Sequence, residues 1–80
     1  MSVHVRYFAA AAAAAGLDEE TVEPGTLAQI TDAIGEQHGA LMVKVLPACS
    51  FLVDGTATTD LATSVQAGST IDVLPPFAGG

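Results

Sequence analysis

One segment near the middle of the chain carries every local signal of a helix. Thr26-Leu27-Ala28-Gln29 matches a capping box, in which the Thr26 hydroxyl accepts from the Gln29 amide and the Gln29 side chain reaches back. Leu27, Ile30 and Ile34 recur at helical spacing with Ala33 alongside, while Asp32 and Glu36 fall on the other side. Gly39 closes the pattern, so the spacing predicts a helix over about residues 26–38. Gly35 inside it costs roughly 1 kcal/mol against alanine, and the sequence gives no reason for its presence. Such a helix must bury its apolar stripe, and 80 residues leave room for one core.

The flanks supply the strands. Residues 2–8 alternate, with Val3, Val5 and Tyr7 on one side and His4, Arg6 and Phe8 on the other; Phe8 is expected to tuck under a strand end. Seven alanines, residues 9–15, form a short helix closed by Gly16. Residues 19–23 suit a strand with Val22 inward and Thr21 and Glu23 outward, broken by Pro24-Gly25. Residues 40–48 fit a helical turn or an irregular packed segment equally well. Ser50–Val53 is a strand, Asp54-Gly55 a hairpin turn and Thr56–Thr58 a return strand. Residues 59–66 read as turns anchored by Leu61 and Val65. After a turn at Ala67-Gly68-Ser69, Thr70–Leu74 alternates with Ile71 and Val73 inward. The order predicts an α+β domain with a mixed sheet and helices on one face, spanning residues 1–74, followed by an extended tail, residues 75–80.

Composition excludes several classes of function. Two cations against nine acidic residues give a net charge of −7. That balance cannot cover a phosphate backbone or hold an anionic lipid surface, so neither nucleic acid nor membrane is an expected partner. It suits a basic protein surface instead. A lone cysteine, Cys49, rules out an internal disulfide and points to a reducing cytoplasm. No stretch has the ~18 apolar residues of a membrane span, and no targeting segment is expected at the N-terminus.

The chain also lacks the usual carriers of chemistry. It has no phosphate loop, no dinucleotide fingerprint and no nucleophile elbow. His4, His38 and Cys49 are not in metal-ligand spacing, so no metal site is expected. His4 reads as an exposed strand residue, His38 as a residue favoured by the negative end of its helix, and Cys49 as a small buried residue. Asp18, Glu19 and Glu20 read as a solvated run, and Asp54 as a turn former.

The informative segment is Leu74-Pro75-Pro76-Phe77-Ala78-Gly79-Gly80. Two prolines after a strand send the chain out along a stiff, extended path. Phe77 is then a large apolar group with little of its own domain left to cover it. Gly79 and Gly80 carry no Cβ and can enter a channel too narrow for other residues. The Gly80 carboxylate would lead. The pattern suits a carboxylate delivered into another protein's active site by a domain without catalytic side chains.

With these residues in view, the whole chain resembles the MoaD/ThiS sulfur carriers, which are ubiquitin-like β-grasp proteins. Val5-Arg6-Tyr7-Phe8-Ala9 with its alanine-rich helix, the Phe51-Leu52-Val53-Asp54-Gly55 hairpin and the final Leu-Pro-Pro-Phe-Ala-Gly-Gly are similar to the small subunit of molybdopterin synthase. The resemblance departs at Ala11 to Ala14, which replace charged residues, and at Ser69, where an aspartate is frequent. It implies a β-grasp domain and a non-catalytic carrier subunit that binds no cofactor itself. An activating enzyme, MoeB-like, would use ATP to adenylate Gly80 and convert it to a thiocarboxylate. A large subunit, MoaE-like, would then receive Pro75, Pro76, Phe77, Ala78 and Gly79, with sulfur passing to cyclic pyranopterin monophosphate. The same family also implies alternatives: a carrier for thiamine or cysteine synthesis, or a ubiquitin-like protein modifier.

Overall fold

The computed structural model describes residues 1–76. Its elements run β1 (Val3–Tyr7), α1 (Ala9–Ala15), β2 (Glu19–Val22), β3 (Gly25–Thr26), α2 (Leu27–His38), α3 (Ala40–Val45), a 3-10 turn (Leu46–Ala48), β4 (Ser50–Val53), β5 (Thr56–Thr58), β6 (Ser64–Val65) and β7 (Thr70–Leu74). Five strands form one sheet in the order β2-β1-β7-β4-β5, and β3 and β6 form a two-stranded ladder beside it. β1 and β7 are parallel, and the other pairs are antiparallel. A parallel pair needs a long crossover, and here everything between β1 and β7 supplies it.

Strand alternation builds the core directly. Val3, Val5 and Tyr7 of β1 and Ile71 and Val73 of β7 are buried on one sheet face. Leu27, Ile30 and Ile34 of α2 pack against them together with Ala11, Met42, Leu46 and Val65, so the helices cover that face. The capping box forms as expected: Gln29 N donates to Thr26 Oγ1 at 3.2 Å, and Thr26 N donates to Gln29 Oε1 at 2.9 Å. The β4–β5 hairpin turns through Asp54 and Gly55, both at positive φ (50° and 84°), which is the geometry this pair favours. Asp54 Oδ1 accepts from Thr70 N at 2.9 Å, and that bond, with help from Ser69, holds its carboxyl below the ordinary carboxylate range.

Gly35 acquires its reason here. A Cβ at this position would lie 3.2 Å from Val43 Cγ2 and 3.8 Å from Leu46 Cδ1. The missing side chain lets α2 and α3 approach closely, so the propensity cost of glycine is accepted for packing. Gly35→Leu is expected to drive the two helices apart and cost about 2 kcal/mol, as overpacking does. Urea denaturation monitored by circular dichroism checks this.

The fold also decides between open alternatives and corrects two expectations, those for Leu61 and Phe8. Residues 40–48 resolve into a helix and a 3-10 turn, because Met42 and Leu46 are drawn into the core while Pro47 ends the regular helix. Leu61 is 51% exposed and is not an anchor; Val65 alone is buried, held where β6 pairs with β3. Phe8 is 41% exposed, since the chain turns into α1 at that residue and carries its ring outward. Pro24-Gly25 does end β2, yet Gly25 at once pairs with Val65.

Candidate functional site

The sequence expectation puts the functional group beyond β7, which makes the exit of that strand the candidate site. β7 lies between β1 and β4, and its partners hold it to its last residue. Val73 pairs with Tyr7 and Phe51, and Leu74 pairs with Ser50. The Phe8 amide also donates to the Val73 carbonyl at 3.2 Å. Pro75 then interrupts the ladder, having no N–H to donate. Pro75 is itself buried, so it is a footing of the domain, and exposure begins only at Pro76. Of the residues assigned to the tail, Phe77, Ala78, Gly79 and Gly80 lie outside the described residues.

On the sheet face opposite the helices, an ion pair stands behind this exit. Arg6 Nε and Nη2 donate to Asp72 Oδ1 and Oδ2 at 2.6 and 2.8 Å, a bidentate pairing between neighbouring strands. The Arg6 guanidinium lies 6.0 Å from the centre of the Phe8 ring. Arg6 and Asp72 were not singled out from the sequence. The available signal was an aspartate inside the final apolar strand, with the chain's single arginine at matching parity in the first.

A second cluster joins β1, β2 and the end of α2. The buried Tyr7 hydroxyl donates to Glu20 Oε2, which also lies 2.5 Å from His38 Nε2; Gln37 Nε2 donates to Glu20 Oε1 at 3.1 Å. The His38 and Glu20 side chains are only 8% and 13% exposed. Glu20 is therefore not part of a solvated run, because β2 pairing turns it inward between two donors. His38 sits in the last turn of α2 as expected, but a specific carboxylate holds it.

Burial, followed by the Glu20 bond and charge, pushes the Tyr7 hydroxyl well above the ordinary tyrosine value. Its ionisation in the unfolded chain begins near pH ~10 and has no folded counterpart there. Stability from Tyr7 is thus complete below that pH and falls as pH rises further. Tyr7 is the only tyrosine. Phenolate absorbance is therefore expected to appear together with alkaline unfolding rather than before it, and Tyr7→Phe should flatten the stability profile above pH ~10.

Cys49 Sγ donates to the Val45 carbonyl at 3.3 Å, and burial raises its thiol pKa, which disfavours the reactive thiolate. His4, whose Nε2 lies 2.9 Å from Glu19 Oε1, pairs with Thr70 at the start of β7, while Cys49 adjoins the far end of that strand. Among the described residues no group of three or more His, Cys, Asp or Glu side chains could hold a metal ion. Among the same residues no helix is long and apolar enough to cross a membrane.

A mixed sheet with its first and last strands parallel at the centre and helices across one face is the ubiquitin-like β-grasp fold. The solved structures agree. SAMP1 from Haloferax volcanii matches with a TM-score of 0.85 and 27% identity over 100% of both chains. A complex of subunits 1 and 2 of molybdopterin-converting factor from Helicobacter pylori matches at 0.74 and 24%, also over 100% of both chains. The Amycolatopsis orientalis BexX/CysO complex matches at 0.77 and 19%, over 98% of this chain and 99% of that one. No curated protein matches the chain. The ThiS family model matches residues 5–80. The chain belongs to the ThiS family and is a ubiquitin-like sulfur carrier.

Proposed function

We propose that this carrier is the small subunit of a molybdopterin synthase, with the Gly80 carboxylate as its working group. The observation that carries the reading is that β7, which Pro-Pro-Phe-Ala-Gly-Gly follows in the sequence, is the central strand of the sheet and is paired on both sides as far as Val73. A carboxylate is a poor electrophile. An ATP-dependent activating enzyme would make the acyl-adenylate with release of pyrophosphate, and a sulfide-level sulfur would then displace AMP from the carbonyl carbon. The resulting thiocarboxylate is a strong nucleophile, and a partner's pocket would supply proximity and exclude water. The carrier contributes position, the large subunit contributes acid and base groups, and sulfur passes to cyclic pyranopterin monophosphate in the cytoplasm. Pro76 to Gly79 would enter that subunit, and Pro75 would hold the base. The net charge of −7 favours encounter with a basic partner face. The similar Helicobacter pylori protein is seen with its second subunit, which supports a partner of this kind.

One observation favours a second reading. SAMP1, at 27% identity over the full chain, is similar throughout, so attachment of Gly80 to a lysine of another protein is the alternative. Intact mass separates the two. After incubation with ATP, activating enzyme and sulfur donor, the carrier gains one sulfur in place of a terminal oxygen. Covalent ladders on other proteins would instead establish the modifier. Saturable binding to a purified large subunit, and none to a thiazole synthase, is the result expected for the molybdopterin pathway.

A further inference from the structure

A groove of about 880 Å³ opens between α2, α3 and the β4–β5 hairpin, on the helix side of the sheet. Its apolar lining includes Gly35, Val43, Leu46, Phe51 and Leu61, and Val43 and Leu61 are largely exposed. Asp32 and Glu36, one helical turn apart on α2, stand along one wall. The opposite wall is β5, an edge strand whose outer side has no sheet partner among the described residues. No lysine or arginine lines the groove. Arg6 is paired with Asp72 on the other face of the sheet, and Lys44 lies outside the lining.

We propose that this groove binds a partner segment in which an apolar side chain is flanked by lysine or arginine. The apolar floor would take the first, and Asp32 and Glu36 the second. Charge selects this occupant over the others. A second copy would bring two strongly acidic chains together with few cations to offset them. The chain's own end would bring a carboxylate against two others. Anionic lipid and nucleic acid meet the same repulsion. The groove's floor reaches Ser50 and Phe51, which pair with Leu74 and Val73 near the exit of β7; the proposal uses only the groove's own walls and not the chemistry at Gly80.

The test is a nitrogen-15 NMR titration of the full chain with a short, end-blocked peptide of alternating leucine and lysine. Saturable shifts are expected at the amides of Asp32, Gly35, Glu36, Val43 and Thr58. The double variant Asp32→Asn/Glu36→Gln should bind about fivefold more weakly, the size expected for two exposed ion pairs. Val43→Ser should weaken binding while leaving the free spectrum folded. A chain lacking Gly79 and Gly80 should titrate unchanged. Non-saturating shifts over the whole acidic surface, equal binding of a leucine–glutamate peptide, or an unaffected double variant would overturn the proposal. Concentration-dependent shifts at the groove without peptide would overturn it in favour of a second copy.

Discussion

Glu20→Ala is expected to cost about 3 kcal/mol, because it strands the buried Tyr7 hydroxyl and a His38 ring that is almost fully enclosed. For a domain of this size that is a fall in Tm on the order of 15 °C. Glu19→Ala, one residue away and exposed, should move stability by no more than about 0.5 kcal/mol. Thermal unfolding of the two variants side by side makes the comparison. A cycle with His38→Ala should show strong non-additivity with Glu20→Ala and none with Glu19→Ala, since coupling follows contact. Equal effects of the two glutamate variants would show that the cluster contributes nothing specific.

Deletion of Gly80 should abolish function without touching the fold. Shortening the chain by one residue retracts the terminal carboxylate by about 3.5 Å. Misplacement of a reacting group by much less costs on the order of a hundredfold, so sulfur transfer should fall by at least that factor. Adding one residue after Gly80 should be as damaging, since the reacting carbonyl would become an internal amide. Denaturant midpoints of both variants should match the parent, because β7 and its pairing partners are untouched. Sulfur incorporation by intact mass and, for the proposed pathway, product formation with a molybdopterin synthase large subunit are the two measurements. Retained transfer in either variant would remove the basis for assigning Gly80 its role.

Much of this architecture was legible because its signals are local. The Thr26–Gln29 box, the Asp54-Gly55 turn and the alternation in β1 and β7 each follow from residues a few positions apart, and each formed as read. What escaped was set by pairs distant in sequence. Glu20 looks like its neighbours Asp18 and Glu19 until β2 docks on β1 and α2 brings His38 across it. Asp72 looks like an ordinary outward residue until Arg6 arrives from the other end of the chain, 66 positions away. Gly35 looked like a defect because its reason, the approach of Val43, lies on another helix. Leu61 shows the converse: an apolar residue in a polar stretch invites burial, yet no element closes over it. The candidate tail was named from its residue types alone; of it the structure describes Pro75, buried at the base, and Pro76, exposed, while Phe77 to Gly80 lie outside the described residues.

The strand at the centre of the sheet is also the last in chain order among the described residues. Until β7 emerges from the ribosome, β1 has no parallel neighbour and β4 lacks one of its two partners, so the core stays open throughout translation. Closure of the sheet therefore waits for the strand that feeds the Pro75-Pro76 exit.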